Sequence, residues 1–95
     1  FFNTTLFDQD LSNWTVDQVT TMSSMFYLAN SFNRDISSWN TSQVTDMSNM
    51  FHFSSNFNQD LSSWTVSNVT SCSNIFYRAS SMVISNQPNF LSCSP

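Results

Sequence analysis

Glycine, glutamate and lysine are absent from this chain of 95 residues, and arginine occurs only at Arg34 and Arg78. Long surface helices are not expected, because Glu and Lys are missing and the abundant Ser and Asn compete for backbone hydrogen bonds. Without Gly, tight bends must form at Asn, Asp and Ser. The formal net charge of −4 gives no basic surface for nucleic acid or an anionic membrane.

Reactive and metal-binding side chains are also scarce. Two Cys and one His cannot form a zinc site, and no Ser-His-Asp or Cys-His arrangement is indicated by the spacing. We interpret His52 as a substituted aromatic, because it lies in one column with Tyr27 and Tyr77. The sequence therefore predicts no enzyme and no resident cofactor. It contains no apolar run long enough to span a bilayer and no signal peptide.

What the chain does contain is an internal repeat with a period of 25 residues. The pattern F-[DN]-[QR]-D-[LI]-S-x-W begins at Phe7, Phe32 and Phe57, and each copy continues with V-T and then M-F or I-F. A fixed period of about 20–50 residues is typical of folds whose units cannot bury their apolar faces alone. We predict one domain over 1–95, with a partial repeat at 1–6, repeats at 7–31, 32–56 and 57–81, and a diverged tail or cap at 82–95.

The period predicts a repeat solenoid of leucine-rich-repeat-like type. The alternation in Val44-Thr45-Asp46-Met47 predicts one short parallel β-strand per 25-residue coil, joined by turns and 3₁₀ or short helical segments. Identical residues of successive coils are expected to stack inward. This core ladder comprises Phe7, Phe32, Phe57, Trp14, Trp39, Trp64, Val19, Val44, Val69, Phe26, Phe51 and Phe76.

One copy of the pattern carries a resemblance to a known family. The run Phe57-Asn58-Gln59-Asp60-Leu61-Ser62-Ser63-Trp64, with Val69-Thr70, Ser73 and Ile75-Phe76 after it, resembles the roughly 25-residue surface-protein repeat of mycoplasma lipoproteins. That family is similar to the BspA-like leucine-rich repeats of bacterial and protist surface proteins. The resemblance implies a solenoid exposed at a cell surface, with no catalytic residues. This chain lacks the Gly common after the Met-Phe pair and has Tyr27-Leu28, His52-Phe53 and Tyr77-Arg78 there instead.

The two cysteines and the repeated aspartates each allow two interpretations. Cys72 and Cys93 are predicted to form a disulfide, which indicates an oxidising compartment, the alternative being a buried small residue and an incidental thiol. Asp10, Asp35 and Asp60 are expected to accept backbone hydrogen bonds at turns. A calcium ladder along the same column is the alternative, because Ca²⁺ binds clustered carboxylate oxygens.

Two further columns concern the outer surface. The sequons at Asn3, Asn13, Asn40 and Asn68 are candidate glycosylation sites, and the many Ser and Thr also permit O-glycans. A ladder formed by Thr20, Thr45 and Thr70 is explained by ordinary β-propensity and hydroxyl hydrogen bonds. Flat Thr arrays also occur in ice-binding solenoids, but the next outward position varies here.

The ends of the chain decide the predicted function. Residues 1–6 correspond to the last part of a repeat, so we expect a longer precursor. Solenoids need polar caps, whereas apolar residues lie at both ends here. The candidates for an assembly interface are Phe1, Phe2, Met82, Val83, Ile84, Phe90 and Leu91. We therefore predict an extracellular or cell-surface structural protein that binds itself head to tail in a fibre or layer. The alternative is a surface adhesin for protein or glycan, and ice binding is less favoured.

Overall fold

Neighbouring repeats lie side by side in register in the computed structural model, which describes residues 4–95. The N–H of Met22 donates to the carbonyl oxygen of Asp46 at 2.8 Å, and the N–H of Met47 donates to that of Ser71 at 2.8 Å. Isolated parallel bridges join Thr21 to Asp46 and Asp46 to Ser71. Residues that the sequence aligns at intervals of 25 are therefore neighbours in space.

The prediction of a solenoid with one β-strand per coil is wrong. Residues 4–95 contain no β-strand and no sheet, only the two isolated bridges. The described chain is a compact, disulfide-bonded globule with extents of 31 × 27 × 22 Å. The extended segment around each Val-Thr pair is too short to form a strand, because a series of turns follows at once in each repeat.

The turns that interrupt each repeat place two residues in the left-handed region. The first position has φ near 58° in each repeat, and the second has φ between 55° and 60°: Ser24, Asn49 and Asn74, then Leu28, Phe53 and Arg78. Asn and Ser tolerate this conformation well, but Leu, Phe and Arg do so at a cost of about 1–2 kcal/mol each. This second column lies within the residue pairs, Tyr27-Leu28, His52-Phe53 and Tyr77-Arg78, at which the resemblance implied glycine.

The 3₁₀ or short helical segments predicted for each repeat are likewise absent from residues 4–81, and the stretch Ser48-Asn49-Met50-Phe51 forms hydrogen-bonded turns instead. The N–H of Met50 donates to the carbonyl of Met47 at 3.2 Å, and that of His52 to Asn49 at 3.2 Å. Among the described residues the one regular helix is a 3₁₀ helix in the tail, Ile84–Asn86. The positive φ of Asn49 explains why the turns do not continue as a helix.

The core consists of two columns of stacked phenylalanine rings. Phe26, Phe51 and Phe76 have ring centroids 5.4 and 5.6 Å apart. The column of Phe7, Phe32 and Phe57 has spacings of 5.7 Å. The columns also stack on each other, with 4.4 Å between Phe26 and Phe32. Since aromatic rings bury large areas and gain from offset stacking, this double column supplies much of the apolar burial.

A ladder of tryptophans covers one corner of this core. The rings of Trp14, Trp39 and Trp64 lie 6.5 Å apart and within 6° of parallel. The indole N–H of Trp39 donates to the carbonyl of Leu11 at 3.0 Å, and that of Trp64 to the carbonyl of Ile36 at 3.1 Å. Each indole therefore fixes the register of two adjacent repeats while its ring excludes water.

The core ladder is fully buried in the middle repeat and less so at the ends. Phe32, Phe51, Val44 and Trp39 are buried, whereas Trp14 is 46% exposed. Phe7, Val19 and Phe76 are half-buried.

Two buried columns were not predicted from the sequence, namely Val16/Thr41/Val66 and Ala29/Ser54/Ala79. Polar members of these columns are satisfied, since the Thr41 hydroxyl donates to the Thr65 carbonyl at 2.9 Å and the Ser54 hydroxyl to that of Phe26.

The tail begins as a continuation of the repeat and then crosses over it. The N–H of Asn58 donates to the side-chain oxygen of Asn33 at 2.9 Å, and the N–H of Val83 donates in the same way to Asn58 at 3.2 Å. The predicted disulfide is confirmed, with Cys72 and Cys93 joined and their Cα atoms 5.9 Å apart. The tail is therefore held against the third repeat at both of its ends.

Candidate assembly surfaces

One end of the described molecule is the outer side of the first repeat. The N–H of Thr20 and the carbonyls of Ser23 and Met25 have no hydrogen-bond partner among the described residues. We call these three groups the first-repeat edge. Their counterparts in the second repeat are all paired, for example the carbonyl of Met50 with the N–H of Phe26 at 2.8 Å. This edge therefore lacks a neighbour within the part of the chain that the structure covers.

The opposite end presents the complementary groups. The carbonyl of Thr70 and the N–H groups of Asn74 and Phe76 have no partner within residues 4–95, and we call them the third-repeat edge. In the second repeat, by contrast, the N–H of Asn49 donates to Ser73 at 3.1 Å and that of Phe51 to Ile75 at 2.8 Å. Donors on this edge thus match acceptors on the other.

A shallow cleft of about 220 Å³ lies beside the third-repeat edge. It is lined by Asn74, Phe76 and Tyr77 on the repeat and by Gln87 and Pro95 on the tail. The tail covers the other half of this end, where the N–H of Leu61 donates to the Asn86 carbonyl at 2.8 Å. The tail therefore contacts the third repeat on both sides, at Leu61 through this hydrogen bond and at Cys72 through the disulfide to Cys93.

The predicted assembly residues divide between the core and the surface. Met82 and Phe90 pack against the core, and their apolar surface is only partly available. Ile84 and Leu91 are 86% and 77% exposed, and Val83 is 46% exposed. Phe1 and Phe2 lie outside the described residues. The tail thus exposes three apolar side chains, and Trp14 at the other end is half-exposed.

An aromatic column runs along the side of the molecule. The ring of His52 lies 4.8 Å from that of Tyr27 and 4.9 Å from that of Tyr77, and its Nδ1 is 3.1 Å from the Asn49 side-chain oxygen. Arg78 lies over the Tyr77 ring at 5.5 Å. His52 therefore occupies an aromatic position in a stack, as the sequence predicts.

The repeated aspartates act at turns. Asp10, Asp35 and Asp60 each accept the N–H of the serine two residues later at 2.9–3.0 Å. The Ser37 hydroxyl, followed by the Ser37 N–H, holds the pKa of Asp35 below its ordinary value, although the neighbouring carboxylates oppose this shift. Within residues 4–95 no three His, Cys, Asp or Glu side chains form a group that could hold a metal ion.

The sequons that the structure describes lie on the surface. Asn13, Asn40 and Asn68 are exposed, whereas Asn3 is outside the described residues. The Asn40 side-chain oxygen accepts the N–H of Ser42 at 3.1 Å, and the Asn68 amide donates to the Ser42 carbonyl at 2.7 Å. Asn40 also borders a cleft of about 280 Å³ that contains Trp14. A sugar at Asn40 would thus lie close to an indole ring.

The threonine column is exposed, but some of its backbone and hydroxyl groups form hydrogen bonds within the fold. The N–H of Thr45 donates to the Thr20 carbonyl at 2.8 Å, and the Thr45 hydroxyl donates to the same oxygen at 3.2 Å. The N–H of Thr70 donates to the Thr45 carbonyl at 2.9 Å. This geometry agrees with a structural role of the column in pairing the repeats.

Residues 1–90 match the family described as Mycoplasma protein of unknown function, DUF285. The chain belongs to the DUF285 family. This membership agrees with the resemblance to a mycoplasma repeat, whereas it does not confirm the likeness to BspA-like leucine-rich repeats. No curated protein and no solved structure matches this DUF285 chain. No helix in the described part is long and apolar enough to cross a membrane.

Sequence reasoning missed the two edges, because they consist of backbone groups. Their position depends on which N–H groups point toward the next repeat, and that depends on the left-handed residues Ser24, Asn49 and Asn74. The repeated Asn or Ser in this column is a signal that could have located them. The cleft beside Trp14 was also missed. Trp14 and Asn40 are about one repeat apart in the sequence, so the period could have indicated that they lie close together.

Proposed function

We propose that this DUF285 chain is an extracellular structural module that associates with copies of itself end to end. The observation that carries the proposal is the pairing of repeats, since the contact between the first and second repeats recurs between the second and third. A head-to-tail interface between two different, complementary surfaces that does not close into a ring can be extended by further units. Each described end retains unpaired groups of the kind that make this contact.

Apolar exposure at both ends supports the same proposal. Trp14 on one end and Ile84 and Leu91 on the other are exposed by 46% or more. Burying apolar surface contributes about 25 cal/mol per Å², and association must first offset about 4–15 kcal/mol of lost freedom. End-to-end binding is therefore expected to be weak and to depend on protein concentration.

The disulfide supports the extracellular part of the proposal. A covalent bond between Cys72 and Cys93 persists in oxidising compartments and is rare where thiols are kept reduced. Glycans at Asn13, Asn40 or Asn68 would fit that location, and all three asparagines are exposed. The intact mass of the secreted chain measures them, because each glycan adds to the mass of the bare polypeptide.

Sedimentation velocity over a wide range of concentrations, combined with negative-stain microscopy, tests the proposal. We expect the average mass to rise with concentration and elongated particles to appear. Ile84→Asp with Leu91→Asp should shift the onset of association to higher concentration. The matched control is Ser38→Asp with Gln43→Asp, which adds the same charge at exposed residues of the second repeat. A chain that remains monomeric throughout the range would contradict the proposal.

A second candidate is a binding module that uses the column of Tyr27, His52 and Tyr77. The observation that favours it is the run of partly exposed rings beside Arg78, since aromatic faces contact sugars and peptides. Binding to an array of glycans, with Tyr77→Ala as the test variant, separates this candidate from self-association. Ice binding by Thr20, Thr45 and Thr70 is the third candidate, and thermal hysteresis in solution tests it.

A further inference from the structure

We infer that the cleft between the first and second repeats binds a pyranose sugar that carries no acidic group. This inference goes beyond the proposed self-association and does not depend on it. The cleft, which we call the first groove, has a volume of about 280 Å³. It is lined by Trp14, Val16 and Asp17 of the first repeat and by Ser38, Trp39 and Asn40 of the second. Because both repeats contribute residues, it is a groove between neighbouring repeats and not an end of the series.

Several polar groups of the first groove have no hydrogen-bond partner within residues 4–95. These are the carboxylate of Asp17 and the hydroxyls of Thr15 and Ser38, all of which line the groove. The backbone carbonyl of Asn40 likewise accepts no hydrogen bond from the described chain. Carboxylates and carbonyls accept, and hydroxyls both donate and accept. A ligand with several hydroxyl groups therefore matches this groove.

The equivalent position between the second and third repeats, the second groove, is satisfied by the fold itself. There Thr41 takes the place of Val16, and its hydroxyl donates to the Thr65 carbonyl at 2.9 Å. In the first groove Val16 has no hydroxyl that could donate to the Asn40 carbonyl. The open acceptor is therefore specific to the first pair of repeats and does not follow from the repeat pattern alone.

The first groove also differs from the second in charge. Ser42 and Ser67 occupy the position of Asp17 in the second and third repeats, so the first repeat alone has a carboxylate there. The Ser42 carbonyl accepts the Asn68 side-chain amide at 2.7 Å, whereas the Asp17 carbonyl accepts no hydrogen bond among the described residues. Two carbonyls and one carboxylate of the first groove thus remain available to donors from a ligand.

An indole beside a carboxylate and hydroxyls suits a sugar ring. Trp14 is 46% exposed and offers an apolar surface to the C–H groups of a pyranose, while the Asp17 carboxylate accepts strong, charge-assisted hydrogen bonds from its hydroxyls. Acidic sugars are disfavoured, since Asp17 repels them and neither Arg34 nor Arg78 lines the groove. A simple organic cation is best held by several aromatic rings, whereas Trp39 is buried and leaves one exposed indole.

The size of the groove limits the ligand and its affinity. Pockets for drug-sized ligands have volumes of about 300–1,000 Å³, so a groove of about 280 Å³ accommodates about one sugar ring. Few polar contacts and one exposed ring give a weak complex. We therefore expect dissociation constants in the millimolar range for single sugars.

An NMR titration of the disulfide-bonded chain, produced without glycans so that Asn40 is unmodified, tests this inference. The probes are the methyl glycosides of glucose, galactose, mannose and N-acetylglucosamine, with methyl glucuronoside as the acidic probe and tetramethylammonium as the cationic one. The three indole N–H signals report on the groove, because Trp14 and Trp39 line it and Trp64 does not. We expect at least one neutral sugar to shift the signals of Trp14, Trp39 and the Asn40 side-chain amide in a saturable way, and to shift that of Trp64 much less.

A double variant tests the groove residues. Val16→Thr with Asp17→Ser gives the first groove the residues of the second repeat and should weaken sugar binding about tenfold or more, because a charged acceptor is lost and the Asn40 carbonyl gains a donor. Val66→Thr is the matched control, since Val66 is buried at the same place in the third repeat and lies outside the groove. It should bind sugar like the unchanged chain. Circular dichroism checks that both variants are folded.

The remaining outcomes would overturn the inference. Absence of shifts with every sugar would exclude the site, and equal affinity of the double variant and the unchanged chain would exclude these residues. Shifts caused by tetramethylammonium alone would assign the groove to a cation. Binding of the glucuronoside as tight as that of the neutral sugars would contradict the role of the Asp17 carboxylate.

Discussion

The indole N–H of Trp39 donates to the carbonyl oxygen of Leu11 at 3.0 Å, across a separation of 28 residues. Both residues are buried, so this carbonyl has no access to water if its donor is lost. The bond therefore links two repeats inside the core rather than at the surface. The same bond joins Trp64 to Ile36 at 3.1 Å.

Trp39→Phe is expected to lower the free energy of unfolding by about 1–3 kcal/mol, because an aromatic ring is kept but a buried acceptor loses its partner. Chemical denaturation followed by tryptophan fluorescence measures the change. Trp14→Phe is the control and should cost less, since Trp14 is 46% exposed. Equal losses in the two variants would contradict the role of the buried hydrogen bond.

The left-handed residues give a second prediction. Arg78 is exposed and has φ of 55°, a conformation that glycine adopts freely and alanine does not. Arg78→Gly is therefore expected to be more stable than Arg78→Ala by about 1 kcal/mol, although both variants lose the contact with Tyr77. Thermal unfolding of the two variants measures the difference. If Arg78→Ala were as stable as Arg78→Gly, residue 78 would not be left-handed.

The disulfide gives a third prediction. Cys72 and Cys93 close a loop with a sequence separation of 21, for which the chain-entropy treatment gives about 3 kcal/mol of stability. The double variant Cys72→Ala with Cys93→Ala should unfold at a correspondingly lower denaturant concentration. A reducing agent should lower the stability of the native chain in the same way and leave the double variant unchanged. An effect of the reducing agent on the double variant would point to a different cause.

Acid should weaken the fold through the turn aspartates. Hydrogen bonds from Ser12, Ser37 and Ser62 lower the pKa values of Asp10, Asp35 and Asp60 in the folded chain. A lowered folded pKa means that the stabilisation is complete above the unfolded value, near pH 4, and is lost as the pH falls through the folded values. We therefore expect the melting temperature to be level near neutral pH and to fall below about pH 4.

Asp35→Asn should reduce this fall, because the amide accepts the Ser37 N–H at all pH values but does not titrate. Asp17→Asn is a suitable control, since the Asp17 carboxylate makes no hydrogen bond among the described residues. Calorimetry between pH 2 and 7 compares the two variants, a range set by the ordinary carboxyl pKa of about 4. An acid response that is the same in both variants would contradict the assignment to the turn carboxylates.

The sequence predicted the contacts between repeats better than it predicted the local backbone conformation. Identical side chains at Phe26, Phe51 and Phe76 must either stack or be exposed, so the period alone indicates their contact. The backbone conformation depended on Leu28, Phe53 and Arg78 taking left-handed φ values, which their residue types do not indicate. Tertiary packing imposed those turns, and the predicted strand was lost as a result.

The disulfide could be predicted from the sequence, whereas the two edges could not. A single pair of cysteines leaves only one intramolecular pairing, and the structure contains it. The edges required knowledge of how far the tail extends over the third repeat. The sequence of the tail shows apolar residues at Met82 and Phe90 but does not indicate how they pack against the core.

Amide hydrogen exchange, resolved by residue and measured at low and high protein concentration, tests the central claim most directly. The N–H groups of Phe26 and Phe51 donate across repeats at 2.8 Å, so we expect them to be protected at every concentration. The N–H of Phe76 should exchange faster in dilute solution and gain protection as copies associate. Rapid exchange at Phe51, or exchange at Phe76 that does not change with concentration, would contradict the account.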